Sequence, residues 1–349
     1  MGRSKSRQGE TLTFPKRPPS PTCQALLPPL PERPAMLTIA FQMDPITGVD
    51  VNADSTFDIA LEAFGRGHEI WVYEPKHLSL ENGQVRATAQ RVKTLQRVQG
   101  EHVTLSEPEA LDLHTVDAVF LRQDPPFDMS YITTTHILEH LMPEVLVVND
   151  PRHVRDAPEK LFVTHFEGVM PPTLITSSEK DIRDFFERHN RDIVVKPLFG
   201  NGGAGVFRVR ETAENLASLV ELFQQLSRDP LMVQAFVPDV KNGDKRVILV
   251  DGEPVGAINR VPAEGEVRAN MHVGGKAVKS DLTQRDLEIC RIIGPELKRR
   301  GLVFVGIDVI GHYLTEINVT SPTGIQELRR FSGVDVSALL IDWVEARRG

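Results

Sequence analysis

The chain has 349 residues, 40% hydrophobic and 25% charged, with a net charge of −8. That length leaves room for two or three domains around a sizeable core, and the composition is that of an ordinary globular protein. The acidic balance argues against nucleic acid as a partner, and no apolar run or leader pattern points to a membrane or to export. Two cysteines, Cys23 and Cys290, argue against a disulfide framework and fit a reducing cytoplasm.

Residues 1–35 carry eight prolines, six Lys/Arg and two Glu, without apolar periodicity. Such a stretch cannot bury enough surface to offset its ordering entropy. It predicts a disordered tail or a translation start placed upstream of Met36; a targeting peptide is the alternative, weakened by the prolines.

From Met36 the pattern is βα. Residues 37–43 read as a strand, Asp44 to Gly48 as the loop at its carboxyl end. Asp54 or Ser55 can cap a helix whose Phe57, Ala60, Leu61 and Phe64 fall at helical spacing, and Gly65 and Gly67 stop it. Short apolar strands follow at 69–73, 118–121 and 145–149. The alternation predicts a small doubly wound parallel sheet, whose ligands sit beyond the carboxyl ends of its strands. Two loops lie there, 43–45 and 122–128; each is either a plain proline turn or a binding loop, with Arg122 as a carboxylate anchor.

A second unit begins near Pro151, with Lys160 in a short helical segment. Residues 193–197 (IVVKP) read as a strand, followed by glycine-rich Phe199 to Gly205 and a further strand at 206–210. Gly200, Gly202 and Gly205 satisfy G-x-G-x-x-G, yet a strand follows where a dinucleotide fold needs a helix. The context suits a glycine flap that covers nucleotide phosphates with backbone N–H groups, and Lys196 just before it is placed to reach a phosphate. Residues 231–236 and 246–250 are further strands. Gln234, Ala235, Phe236 and Val237 can line an adenine slot, and Asp244, between the two strands, can hold a ribose hydroxyl or simply close a turn. Residues 261–276, with three glycines and little periodicity, read as a lid or a disordered loop. A helix starts near Thr283 with Leu287, Cys290 and Leu297 on one face, which makes Cys290 a core residue.

Residues 303–318 then form a hairpin turning at Gly311-His312. Asp308 lies on one strand, and Glu316 and Asn318, two apart on the other, share a face. Two carboxylates and a carboxamide on otherwise apolar strands make an all-oxygen site suited to Mg²⁺ or Mn²⁺. A satisfied polar cluster at a sheet edge is the bland alternative.

With flap, lid and acidic hairpin in sequence, the chain from Met36 onward resembles the bacterial type of glutathione synthetase, an ATP-grasp ligase. The resemblance is carried by DPPFD (124–128), EKLF (159–162), KPL (196–198), GDKRV (243–247), GEPV (252–255) and LTEINVTSPT (314–323). It implies an α/β chain: an amino-terminal substrate domain at 36–155 and an ATP-grasp domain at 156–349, with lobes at about 156–236 and 237–349. It gives Lys160, Lys196 and the flap (Gly200, Asn201, Gly202, Gly203) to the ATP phosphates, Gln234 to Val237 to adenine, and Asp244 to ribose. Asp308, Glu316 and Asn318 become metal ligands, and Arg246, Arg260 and Arg268 the cations around the transferring phosphoryl group. Asp44, Arg122, Asn270, Ser321, Pro322 and Thr323 fall to the peptide substrate. The implied reaction joins glycine to γ-glutamylcysteine through an acyl phosphate, in a cytoplasmic homo-oligomer, a tetramer among the possibilities. Gln123 stands where the family often has Lys, and Phe199 to Gly203 where it often has Asp-Gly-Met-Gly-Gly. The rivals are a carboxylate–amine ligase for another peptide or amino acid, a kinase-type phosphotransferase, whose lysine would follow the flap, and a non-catalytic nucleotide-binding module.

Overall fold

The computed structural model describes residues 1, 36–200, 204–262 and 275–348. The expected tail, the flap residues Asn201, Gly202 and Gly203, and the lid residues Arg268 and Asn270 lie outside them. Residues 35–349 form one compact unit.

The first sheet runs through β1 (Thr38–Gln42), β2 (Glu69–Tyr73), β3 (Leu78–Glu81), β4 (Gln84–Leu95), β5 (Val103–Leu105), β6 (Glu109–Asp112), β7 (Ala118–Leu121) and β8 (Leu146–Val148). Its parallel heart has the order β2-β1-β7-β8. These strands are apolar because both faces are covered; Phe41 and Phe120 stack between β1 and β7 at 4.9 Å. Helix α1 (Ser55–Gly65) is capped by Asp54, whose carboxylate accepts from Phe57 N at 2.6 Å. The parallel-sheet expectation holds but is incomplete. Residues 78–112 add an antiparallel extension on β2, in which Val85, Ala87 and Ala89 of β4 alternate inward. Helices α2 (Met129–Glu139) and α3 (Pro151–Arg155) close this part. Lys160 corrects a second expectation: it sits in a turn before a 3-10 helix at Phe162–His165, not in a helix.

A second, antiparallel sheet has the order β11-β10-β12-β9, with β9 at Thr173–Thr176, β10 at Asp192–Pro197, β11 at Phe207–Arg210 and β12 at Leu231–Ala235. Its apolar face, Ile193, Val195, Leu231 and Val233, packs on α4 (Glu179–Arg188) and α5 (Leu216–Leu226). Strand periodicity therefore turns Lys196 and Gln234 to the other face.

The third sheet is β15-β14-β13-β16-β17, from β13 (Asp244–Val250), β14 (Glu253–Val261), β15 (Lys276–Ser280), β16 (Phe304–Ile310) and β17 (Tyr313–Asn318). Val247, Leu249, Val305, Ile307 and Val309 point into a core shared with α6 (Gln284–Arg299), where Cys290 is buried as expected and burial pushes its thiol up to about 12. Thr283 and Asp286 form the capping box of α6. Helices α7 (Ile325–Ser332) and α8 (Val336–Arg348) return to α1, where Ser337 and Arg329 hold Asp58 at 2.6 and 2.9 Å.

Candidate active site

Register builds the polar site on the opposite face of the third sheet. Asp244 pairs with Arg260 across β13 and β14, Arg246 with Asp308 across β13 and β16, and Asp308 with Glu316 across the hairpin. Two residues along the same hairpin, Asn318 stands opposite Gly306. Gly306 has a steric reason to be glycine: a Cβ there would meet Arg246 Cδ and Pro322 Cβ at 3.0 Å.

Asp308 is the hub. Arg246 binds it through Nε at 2.6 Å and Nη2 at 3.2 Å, and Arg260 Nη2 reaches it at 2.9 Å while also holding Asp244 at 2.6 Å. Burial opposes ionisation of Asp308, but the two guanidinium groups outweigh it and its pKa is about 2. Burial pushes Asp244 the other way, up to about 7, against the pull of Arg260. One oxygen of Asp244, Oδ1, is buried without a hydrogen-bond partner among the described residues.

Two lysines close the cluster. Lys160 is 4% exposed, donates to the Gly200 carbonyl at the root of the flap, and lies 3.8 Å from Glu316. Lys196 is buried, and desolvation depresses its pKa against the attraction of Glu316. Cations stripped of water and held beside carboxylates bind a polyanion strongly, because little solvent reorganisation is needed. The structure thus brings together Lys160, Lys196, Asp244, Arg246, Arg260, Asp308, Glu316 and Asn318.

The donor set fits a hard divalent cation in chemistry: Asp308, Glu316 and the Asn318 carboxamide supply only oxygen. Among the described residues no group of three His, Cys, Asp or Glu side chains is arranged as a metal site. The third oxygen here belongs to Asn318, whose amide nitrogen approaches Asp308 at 3.5 Å, and both Asp308 oxygens are engaged by arginine.

The segment expected to flank adenine, Gln234 to Val237, lies on β12 and just beyond it. Gln234 donates to Thr173 Oγ1 at 3.0 Å, and the N–H groups of Ala235 and Phe236 bond Pro172 and Asp192 carbonyls at 3.0 Å. A base edge would therefore meet other groups of this segment, Val237 among them. Arg208, forked onto Asp192, covers the Phe236 ring at 3.4 Å from its centroid.

The residues expected to hold the peptide form an adjoining group. Arg122 donates to the Pro322 carbonyl at 3.0 Å, Ser321 Oγ donates to Asp124, and Arg246 Nη1 reaches the Thr323 carbonyl at 3.5 Å, tying this group to Asp308. Asp44 stands beyond the end of β1, exposed. Gln123 accepts from Gln42 Nε2 at 2.6 Å, forming a buried amide pair.

Three residues escaped the sequence reading. Glu159, beside Lys160 in EKLF, is pushed up to about 7 by burial and then by Glu316. Asp124 lies in the quoted DPPFD, which signalled a loop without singling it out. Asn149 clamps the Phe304 backbone (2.8 Å each way) and the Val319 carbonyl (2.7 Å), and nothing in an apolar strand announces such a splint.

The sequence matches "Prokaryotic glutathione synthetase, N-terminal domain" over residues 37–155 and "Prokaryotic glutathione synthetase, ATP-grasp domain" over residues 159–333. The chain belongs to the prokaryotic glutathione synthetases. A glutathione synthetase of Agrobacterium fabrum is 54% identical over 310 residues, 89% of this chain and 97% of the relative. One of Brucella melitensis is 55% identical over 312 residues, 89% and 99% of the two chains. Among solved structures, D-cycloserine synthetase DcsG shares the fold at 14% identity and a TM-score of 0.61, covering 88% of this chain and 99% of that one. Macrocyclase MdnC does so at 18% and 0.57, covering 88% and 99%. The ATP-grasp fold expected for this glutathione synthetase family is therefore the fold observed.

Proposed function

We propose that this chain makes glutathione, joining glycine to the cysteinyl carboxylate of γ-glutamylcysteine at the expense of ATP. The observation that carries the reading is the buried convergence of Lys160, Lys196, Arg246 and Arg260 on Asp308 and Glu316, in a glutathione synthetase chain. A carboxylate is a poor electrophile until its oxygen becomes part of a leaving group. Transfer of the terminal phosphoryl group of ATP makes it an acyl phosphate; the glycine amine attacks the acyl carbon, and the tetrahedral adduct expels phosphate.

Lys160 and Lys196 offset the phosphate charge, with the flap glycines over it. Asp244 Oδ1 is available to a ribose hydroxyl, and Gln234 to Val237 flank the base. Arg246 and Arg260 sit where charge builds on the moving phosphoryl group, helped by Arg268. A divalent cation, Mg²⁺ or Mn²⁺, held by Asp308, Glu316 and Asn318 would supply charge compensation at the phosphates. Asp44, Arg122, Asn270, Ser321, Pro322 and Thr323 hold the peptide. Residues 36–155 act as the substrate domain and 156–349 as the ATP-grasp domain. We further take the enzyme to be a cytoplasmic homo-oligomer; no helix among the described residues is long and apolar enough to cross a membrane.

The test is phosphate release from ATP with a panel of peptides and amines. Release that needs γ-glutamylcysteine and matches glutathione formed when glycine is present supports the reading. Preference for another acceptor or peptide would replace it with a different carboxylate–amine ligase.

A further inference from the structure

Phe199 opens the glycine flap at a position where the family often has Asp. Its ring stacks on that of Phe127, 17° from parallel with centroids 6.3 Å apart. Phe127 in turn rests on Tyr131 of α2 at 5.2 Å, and Tyr131 is fully buried. The backbone around Phe127 is pinned on both sides. Asp128 caps α2 by accepting from Tyr131 N at 3.0 Å, and Asp124 accepts from Ser321. A cavity of about 600 Å³ is walled by Phe127, Met129 and Ile132 and by Leu198 and Gly200, and the ring pair joins the two walls.

The residue after Phe199 is where this packing meets chemistry. The Gly200 carbonyl accepts from Lys160 Nζ, and the same ammonium lies 3.8 Å from Glu316. Lys160 is buried, so water competes little for these contacts and the place of its charge depends on them. Glycine has no side chain with which to fix its own carbonyl, and its backbone is the most permissive of all. That task falls to the ring before it. A continuous set of contacts therefore runs from Tyr131 through Phe127 and Phe199 to Gly200, Lys160 and Glu316.

Resting on the glutathione synthetase reading, we propose that Phe127 is a positioning residue for the nucleotide. By stacking on Phe199 it fixes the Gly200 carbonyl, and through that carbonyl the Lys160 ammonium that meets the ATP phosphates. A side chain of the amino-terminal domain thus sets the phosphate site without touching the nucleotide. A chain with Asp at position 199 has no ring to stack, so the joint is absent from that pattern. Stacked aromatic pairs change an equilibrium constant by roughly 2- to 10-fold, which is the size of effect expected here.

The experiment measures by calorimetry the affinity of the full chain for the Mg²⁺ complex of β,γ-imido-ATP, in the parent, Phe127→Ala, Phe199→Ala and the double variant. Each single change should weaken binding by roughly 2- to 10-fold, and the double variant should bind no worse than the weaker single, because either loss already breaks the pair. Phe127→Tyr keeps a ring and should bind as the parent does. Both rings are partly exposed, so truncation opens no sealed core, and Phe199→Asp, which carries the residue common in the family, should match Phe199→Ala. Losses that multiply in the double variant, or single variants that bind as tightly as the parent, would overturn the proposal. In turnover with γ-glutamylcysteine and glycine, Phe127→Ala should raise KM for ATP more than KM for the dipeptide; the opposite order would make Phe127 a peptide contact and overturn it too. A parent that makes no glutathione yet shows the expected pattern with the analogue would overturn the glutathione synthetase reading and leave the joint standing.

Discussion

Asp308 sits between two guanidinium groups in a setting where an unpaired charge would be costly. Glu316, across the hairpin, has among the described residues only Lys160 at 3.8 Å. The two carboxylates thus differ: Asp308 is held by protein, while Glu316 has the freer oxygens. If Glu316 is a metal ligand, Glu316→Gln keeps its shape and removes a first-shell charge. Turnover should fall by on the order of 10²-fold, and the Mg²⁺ activation curve at saturating ATP should move to higher concentration, with part of the loss recovered there. Superimposable curves in parent and variant would take Glu316 out of the metal site and leave it as the counter-ion of Lys160.

At the scale of elements, the turn between β13 and β14 shows how local chemistry fixes the frame under the site. Asp251 and Gly252 both adopt positive φ, 50° and 81°, as a two-residue hairpin loop requires, and a Cβ on Gly252 would lie 2.6 Å from the Gly294 carbonyl of α6. Gly252→Ala should therefore cost about 2–3 kcal/mol, from backbone strain and from forcing α6 off the hairpin. Urea denaturation followed by α6-sensitive fluorescence or circular dichroism checks it; an unchanged midpoint would show that the contact can relax. Elements of this kind are legible in the sequence because their signals are local: Asp54 before a helical period, apolar runs at β1, β7 and β16, and Gly311-His312 closing the hairpin. The pairing of Asp308 with Glu316 follows from the same hairpin. The antiparallel extension at 78–112 is harder to read, because the inward residues of β4 on either side of Arg86 and Thr88 are small: of Val85, Ala87 and Ala89, two are only alanine. The ion pairs of Arg246 and Arg260 were also hidden: β13, with β14 on its other edge, meets β16 only after α6 intervenes in the chain, so no spacing rule brings Asp308 to them. Asn149 and Asp124 were opaque for the same reason, since their partners lie 155 and 197 residues away.

In the molecule as a whole, the carboxyl-terminal helices are fastened back onto the first. Asp58 of α1 is buried and bonds Arg97, Arg329 and Ser337, and Arg66 bonds Asp342 and Glu345 of α8. Asp58→Ala leaves Ser337 and a pair of arginines short of an acceptor. Because both arginines are about a third exposed, the loss should be about 1–3 kcal/mol, less than for a fully buried pair, and visible as a lower melting temperature. An unchanged melting temperature would mean that the Asp58 cluster adds nothing to the packing and the Arg66 contacts that join α1 to α8. The central claim, though, concerns one oxygen atom. If the buried cations serve to make an acyl phosphate, an oxygen of the cysteinyl carboxylate must leave with the phosphate. γ-Glutamylcysteine labelled with ¹⁸O in that carboxylate, turned over with ATP and glycine, should yield one ¹⁸O in inorganic phosphate for each glutathione formed, read by mass spectrometry. Unlabelled phosphate alongside labelled glutathione would contradict activation of the carboxylate by phosphoryl transfer.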